Sequence, residues 1–141
     1  LKFPIRLPAL PEGWQSNSGT RSGIEAGRTD PVTGGRQRAI VARVGYIAPS
    51  KMYVSLSQSD ADETALVQSI DKFVYPSGVQ DLNGVKWIVY EGGEDTEPVW
   101  TTRLNAAGGP VQLAITGAGT VDEFRTLAIA TQTQPPLIAN R

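Results

Sequence analysis

The chain contains neither cysteine nor histidine. Those absences remove a thiolate nucleophile, a Ser-His-Asp relay, zinc sites of the usual kind and haem ligation by histidine. They also rule out disulfide staples, which 141 residues do not require. A chain of about 150 residues buries roughly two-thirds of its unfolded surface in one core. One domain is therefore the natural size. No apolar run reaches the roughly 18 residues of a membrane-spanning helix, and no secretory signal pattern is present. The only methionine is Met52, and the chain opens at Leu1. That is the expectation for a form trimmed or processed from a longer product, with an anchor lying before Leu1. A cysteine-free chain is compatible with a site outside the cytoplasm.

Glycine (15) and proline (10) are abundant, which favours short elements and many turns. Thirteen basic and fourteen acidic residues leave a net charge of −1, so no global field points to nucleic acid. The charges are segregated, however. Residues 1–45 hold the basic excess (Lys2, Arg6, Arg21, Arg28, Arg36, Arg38, Arg43), and most of the carboxylates fall in residues 46–98. Such a division makes a dipolar surface or pairs the two segments in space.

Residues 1–14 carry Pro4, Pro8 and Pro11 among Phe3, Ile5, Leu7 and Leu10. Proline fixes φ and denies ladder hydrogen bonds, so this segment reads as an extended edge or a polyproline-like strap pressed on the core. The glycine-rich stretch 16–37 reads as a basic loop, with at most a short strand near 15–24. From Arg38 the pattern changes to alternation. Ile40, Ala42, Val44 and Tyr46 share one face, and Met52, Val54 and Leu56 share another after the Ala48-Pro49-Ser50 turn, which predicts a hairpin.

Asp60 followed by Glu63 predicts a capped helix over 61–73, with Leu66, Val67, Ile70 and Phe73 as its stripe. Asn83-Gly84 predicts a tight turn between a strand at 79–82 and one at 85–91. Further strands follow at 97–104 and 111–116. Thr120 and Glu123 form a capping-box pattern opening a helix over 121–132, ended by Pro135-Pro136. The expected fold is α+β: an antiparallel sheet of about six or seven strands packed with two helices, sandwich-like, in one globular domain (1–134) with a tail (135–141).

The patterns that could carry chemistry are few. Gly117-Ala118-Gly119 lies between strand and helix, where a phosphate nest belongs, but Asp122 and Glu123 already satisfy that helix end and repel an anion. Asp60, Asp62 and Glu63 lack the spacing and glycine of a calcium loop. Glu91, Glu94, Asp95 and Glu97 fit a solvated hairpin tip or a divalent-ion contact. No Gly-x-Ser-x-Gly elbow and no Ser-x-x-Lys pair is present. The reading is therefore non-catalytic, with no cofactor and no metal. Aromatic residues offer the alternative. Trp100, Arg103, Tyr53 and Tyr90 are the candidate binding residues, since aromatic faces beside an arginine suit a glycan, lipid or peptide. Trp87 and Trp100 equally fit core positions. The loop arginines Arg21, Arg28, Arg36 and Arg38 fit anionic headgroups or plain solvent.

Four stretches, FPIRLPALPEGWQSNS, VGYIAPSKMYVSLSQSDADE, GVKWIVYEGGEDTEPVWTTRL and VQLAITGAGTVDEFRTLA, together resemble an actinobacterial envelope family, domain of unknown function 4245. The resemblance spans nearly the whole chain. It implies a single-pass membrane protein with an outward-facing globular domain, and by fold-level analogy a Mog1/PsbP-like sandwich. It implies no catalytic residue. The function expected is that of a non-catalytic extracytoplasmic binding or accessory domain. Its expected partner is an envelope protein or glycolipid, with membrane attachment through the N-terminal anchor and no nucleic acid. A carboxylate-dependent envelope hydrolase and a purely structural interaction domain are the alternatives.

Overall fold

The structure, a computed structural model, describes residues 3–137. Seven strands and two helices follow one another as β1 (Gln15–Thr29), β2 (Arg36–Ile47), β3 (Tyr53–Ser59), α1 (Glu63–Ile70), β4 (Tyr75–Leu82), β5 (Val85–Glu91), β6 (Val99–Ala106), β7 (Gly109–Gly117) and α2 (Val121–Thr133). All seven strands form one antiparallel sheet in the order β1-β2-β3-β7-β6-β5-β4. This is the expected α+β architecture.

The sheet is covered on both faces. Val54, Leu56, Trp87, Trp100, Leu113 and Ile115 pack against Phe124, Leu127 and Ala128 of α2. Val41, Tyr90, Val99 and Ala114 pack against Leu66 and Val67 of α1. Successive strand residues point to opposite faces, so β7 serves both cores at once and Val111–Ile115 are all buried. That explains why Ala39 and Val41 are buried as well as Tyr46, although the sequence pattern marked only the even positions of β2 as apolar.

The hairpin β2–β3 and the Asn83-Gly84 turn form as read, with Asn83 at φ 54° and Gly84 at φ 88°. Residues 3–14 make the strap, without strand pairing, and Phe3, Ile5, Leu10 and Trp14 join the α2-side core. In α2 both halves of the capping box are made: the Glu123 N–H donates to Thr120 Oγ1 and the Thr120 N–H to Glu123 Oε1.

Three expectations need correction. The stretch read as a loop is β1, a strand of fifteen residues. Its strand state comes from pairing with β2, not from its own side chains, most of which are small and exposed. The first helix runs from Glu63 to Ile70, with Asp62 as N-cap and without a side-chain cap bond. Asp60 does not cap it, because Ser59 is still paired with Val41 and Gln112. Phe73 lies beyond the helix, exposed, where its N–H donates to Asp71 Oδ1. The tail, finally, is tied down where it is described: the Leu137 N–H donates to the Ile5 carbonyl at 2.8 Å. Residues 138–141 of that predicted tail lie outside the described residues.

Candidate functional site

The four residues singled out from the sequence do not converge. Trp100 is 3% exposed and packs its indole against Phe124, ring centroids 5.3 Å apart. Tyr90 is 7% exposed and faces the opposite core, where its hydroxyl donates to Glu63 Oε2 at 2.6 Å. Burial, then the hydrogen bond and the negative charge of Glu63, push the Tyr90 phenol up to about 12. Tyr53 is 40% exposed, and its ring lies over Gly45, where a Cβ would collide with the phenol. Arg103 is exposed and donates to Gln112 Oε1 at 3.0 Å. Tyr53 and Arg103 point to the same face but sit on β3 and β6. Arg103 pairs with Gln112, and Gln112 with Ser59, six positions along β3 from Tyr53 and so about 20 Å away. Trp87 is core, and its Nε1–H donates to Gln132 Oε1 of α2 at 2.8 Å.

The acidic groups are occupied or dispersed. Asp62 accepts from Arg28 Nη1 at 2.7 Å. Glu123 accepts from both the backbone N–H and the hydroxyl of Ser50 at 2.7 Å. Burial alone would raise the Glu123 carboxyl, but these bonds and those from Thr120 hold it below the usual range. Among the described residues no group of three or more acidic side chains gathers as a metal site.

An aromatic and apolar cleft lies elsewhere, between the strap and the β1–β2 end of the sheet. Leu7, Pro8, Leu10 and Trp14 form one wall, and Val44 and Tyr46 of β2 form the floor, around about 290 Å³. Trp14 stands edge-on to Tyr46, centroids 6.2 Å apart and planes at 80°, a favourable aromatic geometry. Val44 also borders a second cleft of about 310 Å³, lined by Ile5, Gly19, Arg21 and Ala42. The two make a continuous strip on the face that α2 covers further along. Its hydrophobic members arise from the proline-spaced strap and from the even positions of β2. Trp14 was not distinguished in the sequence, because its partners Val44 and Tyr46 lie some thirty positions on. A larger cavity of about 540 Å³ separates β1 from the outer side of α1, between Ile24, Gly27, Ala65 and Lys72.

The decisive comparison is with family patterns: residues 1–131 match the family described as Protein of unknown function (DUF4245). The chain belongs to that family. The matched span of this DUF4245 domain takes in the strap, all seven strands and nearly all of α2, and so both walls of the cleft. No curated protein and no solved structure matches the chain.

Proposed function

We propose that this DUF4245 domain is a non-catalytic binding or accessory module. In this reading it is the globular, outward-facing part of a single-pass membrane protein of the cell envelope and contacts an envelope protein or glycolipid. The observation that carries the reading is the strap cleft. A half-buried tryptophan, a tyrosine and the aliphatic side chains of Ile5, Leu7, Leu10 and Val44 border an open groove with Arg21 at its far end. Apolar and aromatic walls with few polar groups are the ordinary make-up of a recognition site. The strap is held by hydrogen bonds rather than by strand pairing, so its walls have a defined position. The envelope setting and the anchor are part of the proposal, and their support is the resemblance noted in the sequence. Among the described residues no helix is long and apolar enough to cross a membrane.

The test is site-specific photocrosslinking in the anchored full-length protein in its native membrane. A photoreactive side chain replaces Leu7, which is 46% exposed at the cleft, or Val32, 90% exposed in the β1–β2 turn. A defined adduct at Leu7, lost in Trp14→Ala and absent at Val32, is the expected result, and its mass separates protein from glycolipid. Equal labelling at both positions, or none at Leu7, overturns the proposal.

A further inference from the structure

The two edges of the sheet are unlike each other. β4 carries Pro76 and a register break between Pro76 and Gly78, both of which discourage a further strand from pairing. Residues Ser18–Glu25 of β1 have neither, and pair with Gly45–Arg38 without a break. At about 3.4 Å per residue this stretch offers about 27 Å of edge, with outward N–H and C=O groups on alternate residues.

We propose that this edge accepts an extended, acidic segment of a partner protein as an added strand, with carboxylates two residues apart. The inference rests on the binding-module reading and adds a second contact to it. Arg21 pairs with Ala42, and Gly23 with Ile40, so positions 21 and 23 present side chains to the same face. Arg38 Nη2 lies 3.3 Å from where a Cβ of Gly23 would stand, so the guanidinium reaches over the glycine toward the open edge. Two cations therefore stand along the edge at alternate positions, one from β1 and one borrowed from β2. Neither makes an ion pair among the described residues. The only carboxylate of β1, Glu25, is held by Arg36 Nη1 at 3.0 and 3.1 Å, and Arg28 is neutralised by Asp62. In an antiparallel addition, alternate side chains of the incoming strand meet this face, which sets the two-residue spacing of its carboxylates. A second copy of β1 is the poorer occupant, since it brings the same free arginines and no free carboxylate.

The probe is a labelled nonapeptide alternating valine and glutamate, followed by fluorescence anisotropy at low salt against the whole chain. Binding is expected to weaken by about tenfold in the R21E/R38E double variant and to weaken with added salt. Methylating the backbone nitrogens that face β1 is expected to abolish binding, and this control leaves the protein unaltered. Three outcomes overturn the proposal: no binding, equal binding of the methylated peptide, or equal binding of a peptide with lysine for glutamate. A chain already dimeric through β1 in solution overturns it too. Crosslinking at Leu7 in the preceding experiment is independent of these results, so loss of the edge contact alone leaves the cleft reading standing.

Discussion

The side chain of Gln58 holds the backbone of Arg6 by both of its polar groups. The Arg6 N–H donates to Gln58 Oε1 at 2.7 Å, and Gln58 Nε2–H donates to the Arg6 carbonyl at 2.8 Å. Gln58 is buried near the C-terminal end of β3 and there does for the strap what a neighbouring strand would do. Gln58→Ala removes both bonds and leaves a cavity beneath the strap. A loss of about 2–3 kcal/mol is expected in urea unfolding, together with faster amide exchange at Arg6. Unchanged exchange at Arg6 would count against this account of how the cleft wall is fixed.

Tyr90 and Glu63 tie β5 to α1 through one phenol proton. The folded pKa is raised to about 12 from 10.0, so the folded state keeps this proton where the unfolded chain loses it. The contribution is complete below about pH 10 and disappears as the pH rises through 12. Denaturant midpoints should therefore fall across that alkaline window, and Tyr90→Phe should flatten the fall. An identical alkaline slope in the variant would contradict the assignment.

Glu123 behaves with the opposite sign. Its folded pKa is lowered, so its contribution is present above the ordinary value of 4.5 and is lost as the pH falls below it. Ser50 sits in the β2–β3 turn, so protonation loosens the contact between that turn and the start of α2. Glu123→Gln should be less stable near pH 7 and lose less on acidification, as read by thermal unfolding between pH 3 and 7, values chosen to bracket about 4.5.

Gly117 ends β7 at φ 145°, and a Cβ there would run into the backbone of Tyr53 and Val54. Neighbouring backbone cannot rotate away as a side chain can. Gly117→Ala should cost about 3 kcal/mol and lower the soluble yield. Gly78→Ala, at a position with open space around it, serves as the tolerated control.

Trp100→Ala separates a core role from a surface one. Removing a buried indole that packs on Phe124 should destabilise the chain by about 3–5 kcal/mol, measured by urea titration. The exposed Arg103→Ala should cost well under half of that.

Elements with local signals were legible in the sequence. The β2–β3 hairpin showed period-2 alternation, Asn83-Gly84 is the residue pair that left-handed turns prefer, and Thr120 with Glu123 announced α2 to within a residue. β1 was not legible because Ser16, Ser18, Gly19, Ser22 and Gly23 carry almost no pattern, and only pairing with β2, the next element along the chain, makes the segment a strand. The start of α1 was not legible, because Asp60 carries the capping pattern while Asp62 takes the N-cap position and Glu63 opens the helix. Only the structure shows that they contact Ile40, Arg28 and Tyr90 respectively. The site suffered from a different loss of information. Alternation tells which face of a strand a residue occupies, but not whether that face is covered. Trp100 and Tyr90 were therefore placed on strands correctly without their burial being visible. Trp14 became a site residue only when the strap was laid beside Val44 and Tyr46.

Arg6 reaches further than its backbone. Its guanidinium donates to the carbonyls of Gln132, Gln134 and Asn105 at 2.8–3.3 Å, while Leu137 bonds to Ile5. The first and last described segments are thus fastened to one another as well as to the sheet, which Arg6 meets at Gln58 and Asn105. Tension applied between residues 3 and 137 loads this small knot first, bond by bond, and reaches the seven-stranded ladder only after the knot has opened. In a force-extension trace that order would appear as an early, low-force step ahead of the main rupture.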